Sequence, residues 1–187
     1  MELVEKKENQ IIFKAKIDES LANVIRRYVD EILVLAIEEV EIIKNDSSLY
    51  DETVAHRLGL IPLKIDKTVT EKTTAKFKLS AKTEGFVYSG ELSSKKVVYD
   101  KIPITLLNKG QELELSATAG PGRGSEHSKF SPGFMFYRDS VDPEGEGDSE
   151  GLVIIIESFG QLPVKNIFVR AIEALKKDLA IVSKKMR

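Results

Sequence analysis

Phe168-Val169-Arg170-Ala171-Ile172-Glu173-Ala174-Leu175-Lys176-Lys177-Asp178-Leu179-Ala180-Ile181-Val182 carries the most regular pattern in the chain. Phe168, Ile172, Leu175, Leu179 and Val182 recur at steps of 4, 3, 4 and 3. That is the heptad-like spacing of a helix that packs along another helix. Ile167, Ala171 and Met186 widen the stripe, and Pro163 suits the first turn. Lys176, Lys177, Lys184, Lys185 and Arg187 crowd the C-terminal end, where cations suit the helix dipole. Upstream, Leu152 to Ile156 is an uninterrupted apolar run, as in a strand buried on both faces.

The beginning of the chain has a matching unit. Ile11, Phe13, Ala15 and Ile17 alternate with Ile12, Lys14 and Lys16, a half-buried strand. Asp18 or Ser20 then caps a helix in which Leu21, Ile25, Tyr28 and Ile32 share a face. Val34 to Ile43 is rich in β-branched residues and reads as a second strand. Ser48-Leu49-Tyr50-Asp51 resembles a capping box that opens a short helix through Leu58, with Gly59 at its C-terminal cap.

Between Thr73 and Leu115 the runs are shorter: Phe77–Ser80, Phe86–Tyr88, Val97–Tyr99 and Leu113–Leu115. Gly85, Gly90, Asn108 and Gly110 separate them, which predicts a small antiparallel β region. A Gly-rich loop is expected at Gly120-Pro121-Gly122-Arg123-Gly124. Residues 139–150 hold six acids and no base, with Pro143, Gly145 and Gly147, and read as a flexible acidic connection. The expected architecture is α+β. Residues 1–50 and 151–187 form one discontinuous domain of a sheet and two helices, interrupted by a β-rich insert domain over 51–150.

Composition narrows the function. The chain has 187 residues, with 28 Lys+Arg against 30 Asp+Glu, a formal charge of −2. Near-balanced charge argues against a free-standing nucleic-acid binder. With no cysteine there is no disulfide framework, thiol nucleophile or iron–sulfur ligation. His56 and His127 lack the spacing of a metal site. Ser125-Glu126-His127 contains triad residue types without a nucleophile elbow, and the acidic run lacks an EF-hand spacing. No catalytic residue, metal ligand or cofactor is expected. The longest apolar run, Ile32 to Ile37, is far short of a membrane span, and the N-terminus has no secretory signal, so a cytoplasmic location is the expectation.

One competing chemistry is phosphate or nucleic-acid binding by the Gly-rich basic loop 120–129, with Arg123, His127 and Lys129 supplying charge. No Walker or dinucleotide fingerprint supports it. The other is association. Two apolar helix stripes exceed what one small domain covers, and such patches mark protein partners. On the first helix Arg26 and Arg27 point about 100° apart and so do not easily share one surface ligand; from the residues alone they read as two solvent-facing arginines, the alternative being one paired inside the chain and one outside it.

Four segments in order resemble the α-like subunits of RNA polymerase, the third-largest-subunit family, in its archaeal branch. Leu21-Ala22-Asn23-Val24-Ile25-Arg26-Arg27 resembles the family's N-A-L-R-R helix. Ala55-His56-Arg57-Leu58-Gly59-Leu60-Ile61-Pro62-Leu63 resembles A-H-R-L-G-L-I-P-L. Asn108-Lys109-Gly110-Gln111-Glu112-Leu113, running on through Gly122 to Pro132, resembles L-N-K-G-Q-E-L followed by G-x-G-x-x-H-A-K-W-S-P. Glu157-Ser158-Phe159-Gly160-Gln161-Leu162-Pro163 resembles the turn before that family's last helix.

The resemblance implies a non-catalytic platform subunit of DNA-directed RNA polymerase, with a dimerisation domain and an insert domain. It implies a heterodimer with subunit L through Leu21, Ile25, Tyr28, Phe168, Ile172, Leu175, Leu179 and Val182. It implies contacts of Arg26, Arg27, His56, Arg57, Arg123, His127 and Lys129 with the second-largest catalytic subunit or with subunits N and P. DNA is then met only through the complex. Taken alone, the residues leave a homodimer open as well. One departure is plain: many family members carry a cysteine-bearing domain before the last strand, whereas here that interval is only Gly133 to Gly151. The chain looks like a short form lacking the iron–sulfur domain.

Overall fold

The computed structural model describes residues 2–65, 69–93, 96–140 and 151–186. Its elements run β1 (Glu2–Lys6), β2 (Gln10–Ala15), α1 (Glu19–Tyr28), β3 (Val34–Asn45), α2 (Asp51–Gly59), β4 (Ala75–Ala81), β5 (Gly85–Tyr88), β6 (Pro103–Leu107), β7 (Leu113–Gly122), β8 (Gly133–Asp139), β9 (Leu152–Ser158) and α3 (Val164–Lys185). The class is α+β with antiparallel sheets. Two compact units divide the chain: Met1–Ile32 with Arg123–Arg187, and Leu33–Gly122.

The discontinuous unit is built on a four-stranded sheet of order β1-β2-β9-β8. The apolar run of β9 sits inside it, paired antiparallel to β2 and β8, and Leu152 to Ile156 are all buried. Burying one such aliphatic side chain contributes roughly 1.5–3 kcal/mol. Ile11, Phe13 and Ala15 of β2 pair with Ile156, Ile154 and Leu152, so these residues share one face of the sheet. On that face Phe13 meets Phe168 of α3 edge-on, ring centroids 5.2 Å apart. Asp18 caps α1, its carboxylate accepting from the Leu21 amide at 2.7 Å. The helix ends at Tyr28 and tightens into i→i+3 bonds through Ile32, which is buried just beyond the helix.

The contiguous unit pairs β3 and β4 on either side of β7, with β5 and β6 forming a separate ribbon. Phe77, Leu79, Leu113 and Leu115 are buried in it, and α2 contributes Val54 and Leu58. Lys44 bridges Asp46 at 3.3 Å and Glu112 at 3.4 Å, and Lys82 reaches the same Glu112 oxygen at 3.4 Å. These pairs hold the Glu112 carboxyl below its ordinary range and push the Lys44 amine up.

Several expectations change. The units part at 32/33 and 122/123 rather than at 50 and 151. The cause is strand pairing: β3 aligns with β7 from Val34↔Gly122 to Asn45↔Leu113, and β8 with β9 from Gly133↔Ser158 to Asp139↔Leu152. Gly120, Pro121 and Gly122 are therefore strand residues opposite Ala36, Leu35 and Val34, and the expected loop begins only at Arg123. No capping box opens α2. Tyr50 is its N-cap without a side-chain bond, and Asn45 holds the turn by donating to the Leu49 carbonyl at 2.9 Å and to Asp51 at 2.8 Å. Gly59 is helical and Leu60 caps α2. Val97 makes a single bridge to Leu63 in place of a strand. Asp139 ends β8, and the rest of the acidic run, 141–150, lies outside the described residues.

Candidate functional site

The two helices of the discontinuous unit each present two different faces. On α1, Ala22 and Ile25 are buried, followed by Val29 just past the helix end, at steps of 3 and 4. On α3 the buried line is Val164, Ile167 and Ala171, again at steps of 3 and 4. A helix needs one such stripe to dock on its own sheet. Further apolar residues lie beside these lines. Leu21 and Val24 of α1 are 43% and 38% exposed. Phe168, Ile172 and Leu175 are half-buried. Leu179, Ile181, Val182 and Met186 are 59%, 45%, 58% and 84% exposed.

From Lys176 to Met186 every residue is exposed. The C-terminal half of α3 therefore runs past the sheet with its apolar residues uncovered. The helices are tied where this uncovered stretch begins. The Tyr28 hydroxyl donates to Asp178 Oδ2 at 3.1 Å. Partial desolvation, and after it the carboxylates of Asp178 and Glu31, push the Tyr28 phenol above its ordinary value.

The expected subunit-L stripe thus divides. Ile25 belongs to the buried core of its unit, Leu21 is open, and Tyr28 is half-buried and hydrogen-bonded. Phe168, Ile172 and Leu175 straddle core and surface, while Leu179 and Val182 are surface. Val24 and Asp178 join this face although the sequence stripe omitted them. Val24 was legible as the residue three after Leu21; Asp178 was not, because a lone acid between leucines gives no periodic signal.

The polar candidates fall into two groups. Arg26 is held on its own helix, Nε and Nη2 donating to Asn23 Oδ1 at 3.2 and 2.9 Å, while the Arg27 beside it is exposed. Arg123, His127 and Lys129 share one loop, anchored to the turn after α1. The Ser125 amide donates to the Asp30 carbonyl at 3.2 Å, and the Ser131 hydroxyl to Asp30 Oδ1 at 2.8 Å. Gly124 is required there, because a Cβ would come within 2.5 Å of the Asp30 carboxylate. Arg123 lies 3.9 Å from Glu31 and 3.8 Å from Glu126. His127 Nδ1 accepts from the Lys129 amide at 3.1 Å, and Lys129 Nζ sits 4.9 Å above the Phe130 ring. A loop whose arginine faces two carboxylates, and whose glycines 120 and 122 lie in a strand, is a poor phosphate cradle.

His56 and Arg57 belong to the other unit. His56 is exposed on α2, and Arg57 donates to the Pro103 carbonyl of β6 at 2.8 Å. Among the described residues no group of three or more His, Asp or Glu gathers as a metal site. No helix among them is long and apolar enough to cross a membrane.

Residues 40–136 match the family described as RNA polymerase Rpb3/RpoA insert domain. DNA-directed RNA polymerase subunit Rpo3 of Methanocaldococcus jannaschii is 38% identical over 170 residues, covering 89% of this chain and 85% of that protein. Subunit Rpo3 of Pyrococcus furiosus is 40% identical over 151 residues, covering 74% of this chain and 58% of its own length. That of Methanosphaera stadtmanae is 37% identical over 181 residues, covering 82% and 67%. The chain thus spans little more than half of the Pyrococcus relative and most of the Methanocaldococcus one.

Proposed function

The chain belongs to the Rpo3 family of DNA-directed RNA polymerase subunits, and from that membership we propose that it is a non-catalytic assembly subunit of the polymerase, a nucleotidyltransferase complex. It pairs through α1 and α3 with a smaller α-like subunit, L. The pair, with subunits N and P, then receives the second-largest catalytic subunit. The Met1–Ile32 and Arg123–Arg187 unit is the dimerisation domain in this reading, and Leu33–Gly122 the insert domain.

One observation carries the reading: the uncovered apolar residues Leu179, Ile181, Val182 and Met186 on the projecting half of α3. Removing apolar surface from water contributes about 25 cal/mol per Å², so an apolar helix face of this kind is stabilised by a second helix surface laid along it. Leu21 and Val24 extend the patch onto α1. The polar edge of this unit comprises Arg26, Arg27 and the loop of Arg123, His127 and Lys129, and it suits larger subunits that dock without burying an apolar core. On the other unit, taken by itself, His56 and Arg57 offer polar contacts of the same kind.

The test is light scattering with size-exclusion chromatography on this chain, alone and co-expressed with subunit L from the same genome. A stable one-to-one complex supports the proposal. A well-behaved monomer that ignores subunit L refutes it, as does a homodimer that persists in its presence.

A further inference from the structure

Asp178 stands in an unusual place for a carboxylate. It lies seven residues after Ala171, two turns further along the line of Val164, Ile167 and Ala171 that α3 buries. The residues one turn to either side on its helix are Ala174, Leu175, Ile181 and Val182, all apolar. No cation therefore stands at the i±3 or i±4 positions that stabilise a helical carboxylate. Lys176 and Lys177 sit two and one positions away and point elsewhere. Lys185 is seven residues on, about 10 Å along the axis. Among the described residues the donor to Asp178 is the neutral hydroxyl of Tyr28, at 3.1 Å.

In the lone chain water solvates this exposed carboxylate. A partner laid on Leu175, Leu179 and Val182 removes that water. An ionised carboxylate covered by apolar surface with a single neutral donor is strongly disfavoured, whereas one that meets a cation with good geometry is tolerated and specific. Given the docking reading of α1 and α3, we infer that Asp178 is a partner-selecting residue: the subunit seated on this helix pair brings a lysine or arginine opposite it. The apolar stripe supplies affinity. The isolated acid sets register and rejects helix surfaces that are equally apolar but carry no cation there.

Binding of subunit L to wild type, Asp178→Asn, Asp178→Lys and Tyr28→Phe, titrated at several salt concentrations, tests this. Asparagine keeps an acceptor for the Tyr28 hydroxyl, so the helix pair stays folded, as circular dichroism checks. The expected result is at least a tenfold weaker complex for Asp178→Asn, with a flatter salt dependence. Asp178→Lys is expected to lose pairing, and a single Lys→Glu or Arg→Glu change on subunit L to restore it. Tyr28→Phe, which leaves the carboxylate for its cation, is expected to weaken pairing less than threefold. If Asp178→Asn binds as tightly as wild type with the same salt slope, or no reversal on subunit L rescues Asp178→Lys, the inference is overturned and the docking reading stands. If wild type does not bind subunit L at all, both fall.

Discussion

Tyr28, the last residue of α1, donates its hydroxyl to Asp178 Oδ2 at 3.1 Å, a bond between side chains 150 residues apart in sequence. It fixes how the two helices lie where α3 leaves its sheet. The bond is partly exposed, so its worth is at the lower end for a side-chain hydrogen bond. Tyr28→Phe is expected to lower unfolding free energy by about 0.5 kcal/mol. The phenol is raised above its ordinary value near 10. A group raised on folding stabilises while protonated, so this contribution is present below pH 10 and is lost as the solution becomes more alkaline. Urea midpoints of wild type and Tyr28→Phe should therefore converge above pH 10; a constant gap would show that the phenol does not titrate differently in the folded state.

Val182→Asp separates docking from folding. Val182 is 58% exposed, so the lone chain should keep its stability within about 0.5 kcal/mol. Pairing with subunit L should fall by two orders of magnitude or more. Ile172→Asp and Leu175→Asp, at half-buried sites, should abolish pairing and also loosen α3, with the Leu33–Gly122 unit still folded. A pull-down in which Val182→Asp retains subunit L would remove the C-terminal half of α3 from the interface.

Arg26→Ala probes the polar edge. Its guanidinium bonds to Asn23 on the same helix, so truncation leaves no buried partner unsatisfied. The heterodimer should form normally, and capture of the second-largest subunit by that heterodimer should weaken. The reverse pattern in a stepwise reconstitution would reassign Arg26 to the subunit L interface.

Glu112 gives the contiguous unit an acid-side signature. Lys82, and then Lys44, hold its carboxyl below the ordinary value of 4.5. A depressed carboxyl stabilises while ionised, so the contribution is present above pH 4.5 and lost as pH falls below it. Glu112→Gln should remove it, and 1 M salt should shrink the difference, since both lysines are exposed to solvent and Glu112 is only half-buried. Equal denaturation midpoints for the two proteins at pH 7 and low salt would show that these pairs contribute nothing measurable.

The elements with a period were legible. β9 was visible as an apolar run, α1 and α3 as stripes, and β3 as β-branched alternation. Three strands were not. β1 is exposed along its whole length, so its residues carry no buried pattern. β6 opens with Pro103, a strand breaker by composition. In β8 the large aromatics Phe134 and Phe136 are exposed and the buried positions include Gly133, which hides the alternation. The site shows the same division. Periodicity found the apolar faces of both helices, but not which residues the chain's own sheet would claim: Val164, Ile167 and Ala171 are buried, and Phe168 meets Phe13 of β2, whereas Ile172 and Leu175 are only half-buried. Asn45 holding the α2 turn, Asp30 anchoring the 123–131 loop and Tyr28 meeting Asp178 are all contacts created by the fold, and local pattern does not encode them.

The order of the strands also sets a timetable for synthesis. Leu33–Gly122 is one uninterrupted stretch, so all of its strand partners have been made by the time Gly122 is added. β1 and β2 precede that stretch, yet β2 must wait for β9, about 140 residues later, before its second edge is paired. A nascent chain paused after Gly122 thus has a unit able to fold and a leading hairpin, Glu2–Ala15, with an open apolar edge. The sheet that holds β2 is thus completed after the unit that follows β2 in sequence, and α3, the helix we assign to subunit L, is made after every strand its unit requires.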